Sequence, residues 1–177
     1  MTASVPTAAI VATDEAVAGF LTVRDMLRYA TGAFTRAGLA YGHGTASALD
    51  EAVFLILETL RLPIDDINPW LDARLLEPER RRLAEVIAAR VTSRKPAPYV
   101  VGAAYIKGRR FLVDERVIVP RSYIGELLAE NGLVDALDED EPVARVLDLC
   151  TGSGCLAILA AEAFPGAIVD AVDISKD

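Results

Sequence analysis

The stretch Ala144-Arg145-Val146-Leu147-Asp148-Leu149-Cys150-Thr151-Gly152-Ser153-Gly154-Cys155 decides the fold of this chain. Ala144 to Leu149 reads as a short apolar strand, and Cys150 to Gly154 as a glycine-rich turn. A helix is expected from Cys155 to about Phe164, where Pro165-Gly166 ends it, and Ala167 to Val172 reads as a second apolar strand that runs into Asp173. Strand, glycine loop, helix and strand make one βαβ unit with a parallel pair of strands. The expected fold class is therefore α/β.

A glycine turn between strand and helix lets backbone approach a ligand, and the helix N-terminus presents unpaired N–H groups there. Asp173 lies 19 residues beyond Gly154, the spacing at which an acid accepts hydrogen bonds from ribose hydroxyls. The loop is thus built for an adenosine-containing cofactor. Gly152-x-Gly154-x-x-Ala157 also satisfies the dinucleotide fingerprint, so a nicotinamide cofactor is one reading. Asp148 opposes it, because a carboxylate at the end of the first strand repels a pyrophosphate. The same charge favours the amino and sulfonium groups of S-adenosylmethionine. Asp148 has a purely structural alternative, as a partner of the helix N-terminus that stabilises the turn.

Upstream the pattern is helical. Thr22 with Asp25 reads as a capping box, followed by Val23, Met26, Leu27, Ala30, Ala33, Phe34 and Ala37 at helical spacing and Gly38 as a stop. A second helix is expected from Ser47 to about Leu60, with Leu49, Val53, Ile56, Leu57 and Leu60 inward and Pro63 beyond it. A third starts near Pro78, with Leu83, Val86, Ile87 and Val91 on one face and Arg80, Arg81, Arg82 and Arg90 on a solvated one. From Lys95 the period falls to about two. Tyr99–Ile106, Arg110–Val113 and Arg116–Val119 read as strands, with Lys107-Gly108 and Asp114-Glu115 as turns. A helix is expected from Ser122 to about Asn131, with Ile124, Leu127 and Leu128 on one side, and residues 135–142 read as an exposed acidic connector. Three regions result: a helical domain over 1–94, a β-hairpin linker over 95–120, and an incomplete Rossmann-like domain over 121–177.

Composition sets outer bounds. Of 177 residues 53% are hydrophobic and 25% charged, which excludes disorder as the main state. Eighteen Lys and Arg against 26 Asp and Glu give a net charge of −8, which disfavours generic nucleic-acid binding and suits either a basic protein partner or plain solubility. Two cysteines and one histidine cannot close a structural zinc site, so no metal is expected. Reduced cysteines, no signal peptide and no apolar run of membrane-spanning length lead to an expectation of a cytoplasmic protein without a membrane partner.

Leu147-Asp148-Leu149-Cys150-Thr151-Gly152-Ser153-Gly154-Cys155, together with Val172-Asp173-Ile174-Ser175, resembles the class I methyltransferases of the protein-glutamine type. Two further stretches resemble the PrmB-type branch: Tyr41-Gly42-His43-Gly44-Thr45 with Asp50-Glu51-Ala52, and Val113-Asp114-Glu115-Arg116-Val117 through Val119-Pro120-Arg121-Ser122. The resemblance runs from about Asp14 to Asp177. It implies an S-adenosylmethionine-dependent enzyme that methylates a glutamine amide on a large-subunit ribosomal protein of the uL3 type. On this resemblance Asp148, Cys150, Thr151, Gly152, Ser153, Gly154 and Asp173 bind the cofactor. Two departures stand out: Tyr123 where the family tends to have proline, and Cys150 where related methyltransferases have glycine, although cysteine is usual in this branch.

The family's catalytic Asn-Pro-Pro-Tyr does not occur among these residues. The resemblance implies that this loop follows the fourth strand of the sheet, where it orients the substrate amide. The chain is accordingly expected to be a truncated piece of a longer enzyme, inactive alone, with no catalytic residue of its own. Val146, Leu147, Leu149, Ile168, Val169 and Val172 are expected to lack packing partners. Arg121 is a candidate substrate contact, with a surface ion pair as the alternative. His43 is expected to be a turn residue, Cys150 a small buried one, and Trp70 and Tyr41 covers for the helical core. Two other readings remain: a release-factor glutamine methyltransferase, which typically carries Arg-Pro-Glu-Thr-Glu where this chain has Arg121-Ser122-Tyr123-Ile124-Gly125-Glu126, and a non-catalytic module that binds a ribosomal protein.

Overall fold

The computed structural model describes residues 14–130, 132 and 142–176. Its elements are α1 Asp14–Gly19, α2 Val23–Arg36, α3 Ala48–Leu60, α4 Glu77–Ser93, α5 Ala97–Val101, β1 Ala103–Ile106, β2 Arg109–Leu112, α6 Tyr123–Ala129, β3 Arg145–Leu149, α7 Cys155–Ala163 and β4 Ile168–Val172, with one 3-10 turn over Asn68–Trp70. The chain is α/β and divides into two compact units, Met1–Val101 and Gly102–Asp177.

The first unit is helical. The capping box at its first long helix is present: the Asp25 amide donates to Thr22 Oγ1 at 3.2 Å, and the Thr22 amide donates to Asp25 Oδ2 at 2.9 Å. The Thr22 hydroxyl also donates to Asp25 Oδ2 at 2.9 Å, and this bond first and the Thr22 amide next lower the Asp25 carboxyl below its usual range. Met26, Phe34, Leu55, Ile56, Leu57, Leu83 and Ile87 are fully buried where α2, α3 and α4 meet, and each such side chain contributes about 1.5–3 kcal/mol of burial. Two details of the helical pattern differ from expectation. Leu49 is 53% exposed and Val53 and Leu60 are half-buried, while Ala52 and Leu55 take inner positions.

The larger difference is Arg90, which is 2% exposed rather than on the solvated face. Its Nε donates to Glu51 Oε1 at 2.7 Å, and its Nη2 donates to the Ala40 carbonyl at 3.1 Å. Thr45 Oγ1 donates to Glu51 Oε2 at 3.1 Å, so the buried pair grips both ends of the Ala40–Thr45 loop. Arg80 is half-buried and donates to the Leu75 carbonyl, whereas Arg81 and Arg82 are exposed as expected.

In place of an expected strand from Tyr99, the chain makes the short helix α5. The Pro96 carbonyl accepts from Tyr99 and Val100, and Pro98 sits in the first turn, where its missing N–H costs nothing. In the second unit β1 and β2 form an antiparallel hairpin, with Ala104 opposite Phe111. Its turn is Lys107-Gly108, with φ of +47° and +78°, the double left-handed geometry that matches strand twist. The expected strand over Arg116–Val119 is absent, because no segment among the described residues supplies a ladder for it. Helix α6 is capped by Ser122 and buries Leu128 and Gly125, while Ile124 is 51% exposed. The acidic connector falls largely on residues 133–141, outside the described ones.

Strands β3 and β4 pair in parallel, Val146 against Val169 and Leu149 against Val172. Alternation puts Val146 and Val169 on the face that joins the cluster of Leu128, Cys155, Leu159 and Ala160. These two residues are therefore packed, contrary to expectation. Leu147, Leu149, Ile168 and Val172 are 51–66% exposed, as expected.

Removal of one member of a buried ion pair leaves the other charge uncompensated. Arg90→Ala is expected to lower the stability of the first unit by about 3–5 kcal/mol in urea melts. Arg81→Ala, on the exposed face of the same helix, should leave the midpoint unchanged.

Candidate functional site

The site is built where β3 ends, the glycine turn begins and α7 starts. Gly154 occupies the N-cap of α7 at φ +77° and offers no side chain to the helix. The missing cap comes from Asp148 instead. Its Oδ2 accepts from the Ala157 amide at 3.0 Å and from Thr151 Oγ1 at 2.5 Å. Both bonds fall on one oxygen, and the structural reading of Asp148 as a partner of the helix N-terminus is realised in this geometry.

The next strand holds the turn from its other side. Asp173 follows β4; its Oδ2 accepts from the Gly152 amide at 2.9 Å and its Oδ1 from the Ser175 amide at 2.9 Å. The Thr151 amide donates to the Val172 carbonyl at 3.1 Å. These backbone donors, Ser175 first and Gly152 next, pull the Asp173 carboxyl below its usual range. Gly152 and Gly154 have φ of +55° and +77°, and a Cβ on either would meet no atom within 4 Å. Glycine is required there by backbone conformation, and open space lies above the turn.

Cys150 also takes a left-handed conformation, φ +58°, and it is exposed rather than buried. Cys155 is the buried cysteine; burial raises its thiol pKa, and its Sγ lies 3.2 Å from Ser153 Oγ. The structure thus gathers Asp148, Cys150, Thr151, Gly152, Ser153, Gly154 and Asp173 at one edge of the parallel pair. Arg121 is exposed in the segment before α6. His43 is exposed between two left-handed glycines, and Trp70 and Tyr41 pack against the helical core. Among the described residues no three His, Cys, Asp or Glu side chains gather to hold a metal ion, and no helix is long and apolar enough to cross a membrane.

Comparison with known proteins bears on what this edge serves. Over 158 residues the chain is 57% identical to the ribosomal protein uL3 glutamine methyltransferase of Burkholderia pseudomallei, a match that takes in 89% of this chain and 51% of that protein. The chain is a homologue of the uL3 glutamine methyltransferases. A protein of that name from Bordetella pertussis is 56% identical over 88% of this chain and 52% of its own length. Another, from Neisseria gonorrhoeae, is 51% identical over 93% of this chain and 54% of its own length. The chain spans about half the length of the curated relatives it matches. No protein-family profile matches it. The α/β architecture is compatible with part of a methyltransferase fold, and homology to methyltransferases implies a methyl donor.

Two measurements probe the turn itself. Cys150→Gly relieves a left-handed non-glycine residue and is expected to stabilise the second unit by up to about 1 kcal/mol, whereas Cys150→Val should cost about 1–2 kcal/mol. Because the Asp173 carboxyl is lowered on folding, its bond to Gly152 contributes fully above the unfolded value of about 3.9 and is lost as pH falls through the lowered one. The Gly152 amide resonance should therefore hold its shift down to about pH 4 and move only below it; an inflexion above about 3.9 contradicts the assignment.

Proposed function

We propose that this chain carries the donor-binding half-site of an S-adenosylmethionine-dependent methyltransferase that modifies a glutamine side-chain amide on a uL3-type ribosomal protein. The observation that carries the reading is the glycine turn at the C-terminal edge of a parallel pair, clamped by Asp148 and Asp173, in a chain whose relatives are named for that reaction. Strands β3 and β4 belong, on this reading, to a Rossmann-like class I sheet. The helical unit takes the protein substrate, and Arg121 is a contact for it. The reading also puts the protein in the cytoplasm, where ribosomal proteins are made.

The residues present suit the donor. Asp173 is oriented before any ligand arrives and has lone pairs left on both oxygens for ribose hydroxyls. Asp148 spends Oδ2 on the turn and leaves Oδ1 to face the amino and sulfonium charges. Gly152 and Gly154 keep the approach clear, and Cys150, Thr151 and Ser153 complete the turn. When bound, the donor supplies a methyl group on a positively charged sulfur. The acceptor is the harder partner, because an amide nitrogen delocalises its lone pair into the carbonyl. Positioning and hydrogen bonds to the amide must carry that step. On this reading the chain supplies the donor half of the site, and its 177 residues contain no Asn-Pro-Pro-Tyr.

Titration calorimetry with S-adenosylmethionine tests the first part. Asp173→Ala is expected to weaken binding roughly tenfold or more, since two hydrogen bonds to a charged acceptor are lost; equal affinity overturns the assignment. Incubation of the chain with methyl-labelled donor and purified uL3-type protein should leave the protein unlabelled. Label on the protein would show that these residues suffice for transfer.

A further inference from the structure

Two connections of the helical unit are ordered by different means. The one between α3 and α4, residues 61–76, is ordered by packing: it buries Ile67 and Leu75 and lays Leu62, Ile64, Trp70 and Leu71 against the core. The one between α2 and α3, residues 37–47, packs Leu39 and Tyr41 inward, but from Gly42 to Ser47 no apolar side chain joins the core. Polar side chains hold it instead. Arg94 donates to the Ala37 and Gly38 carbonyls at 3.0 and 2.9 Å, and Arg90, one turn earlier on α4, donates to the Ala40 carbonyl. Glu51 takes the other end through Thr45 Oγ1, and Asp50 accepts from the Ala46 amide at 2.7 Å.

A loop is expensive to order in this way. A buried ion pair gives up hydration on both members, and an apolar pair of similar volume is often as stable or more so. The network is also incomplete, because Arg90 Nη1 and the Tyr41 hydroxyl are buried with no hydrogen-bond partner among the described residues. Gly42 and Gly44, at φ +129° and +97°, add the large entropy loss of ordered glycine. What all this holds in place is surface: Gly42, His43 and Gly44 are exposed. Core stability does not account for the Arg90–Glu51 pair, and a fixed loop does.

The surface so fixed has a definite chemistry. A Cβ at Gly42 or Gly44 would meet no atom within 4 Å, so a partner's main chain can approach closely on both sides of His43. The imidazole between them can donate from one ring nitrogen and accept at the other, as a peptide group does with its N–H and carbonyl. Residues 37–47 contain no Lys or Arg to hold a phosphate backbone. The partner that fits is an extended stretch of protein.

We propose that the Arg90–Glu51 pair is a positioning device, which holds Gly42-His43-Gly44 as the surface that takes an extended segment of the protein substrate. The proposal rests on the reading above that the helical unit takes that substrate, and not on the donor site. Arg90 and Glu51 act through the loop, and His43 makes the contact.

Two variants of the whole chain test it, each titrated by calorimetry with purified uL3-type ribosomal protein and, separately, with S-adenosylmethionine. His43→Ala removes the contact and is expected to weaken the uL3-type protein roughly fivefold or more. Glu51→Leu combined with Arg90→Met replaces the pair by apolar side chains. Its urea midpoint should hold or rise, while the amides of residues 42–45 exchange faster and the uL3-type protein binds roughly tenfold more weakly. A merely structural pair would not lower this affinity at an unchanged midpoint. Neither variant should alter affinity for S-adenosylmethionine. If the unsubstituted chain binds the uL3-type protein and His43→Ala binds it equally well, the proposal falls and the substrate reading stands. Full affinity in the double variant with a loosened loop overturns it too, and should that variant unfold, His43→Ala decides alone. If the unsubstituted chain does not bind the uL3-type protein, the substrate reading and this proposal fall together, and the donor reading is left to its own titration.

Discussion

One carboxylate oxygen, Oδ2 of Asp148, joins the end of β3, the glycine turn and the first turn of α7. A crossover must leave the strand, reverse and start a helix within a few residues, and here it does so with left-handed backbone at Cys150, Gly152 and Gly154. Glycine permits that geometry but surrenders rigidity, because it loses the most freedom on ordering. It also leaves the helix without a side-chain cap. Asp148 remedies both from outside the turn.

Asp173 completes the arrangement from the neighbouring strand. Both its oxygens are engaged by backbone N–H groups, so its plane and its distance from Gly152 are set without a ligand. An acceptor that is already ordered loses less freedom when it meets a ribose than one that swings in solvent. The parallel register is what makes this possible, since Leu149 opposite Val172 brings both strand ends to the same edge.

Much of this edge is legible in the sequence because its signals are local: a short apolar run, glycines that need left-handed backbone, a helix of fixed length and an acid at the end of the next strand. The misreadings have equally physical origins. Arg116–Val119 alternates like a strand, but a strand exists only if another segment offers its hydrogen bonds, and that partner is a non-local fact. Cys150 reads as a small buried residue, yet it takes a left-handed φ and is exposed. Arg90 is the most instructive case. It falls seven residues after Leu83 and four after Val86, squarely on the apolar stripe of α4, and only its charge argues for solvent. Glu51 stands four residues before Leu55 on the inner side of α3 in the same way. Two opposite charges, each at a core position of its own helix, are a detectable signature of a buried pair. The composition of either helix alone hides it.

Net charge also changes meaning once it is divided. The first unit has 12 acidic residues against 11 basic ones, and the second 14 against 7, so almost all of the −8 belongs to the second unit. A helical unit so nearly neutral exerts little net field of either sign. The charge that bears on the glycine turn is local, since Asp148 and Asp173 both bond to it. There it favours a ligand with a positive sulfur and an ammonium group over one with phosphates, by the same Coulomb argument that a single carboxylate at the end of β3 makes alone.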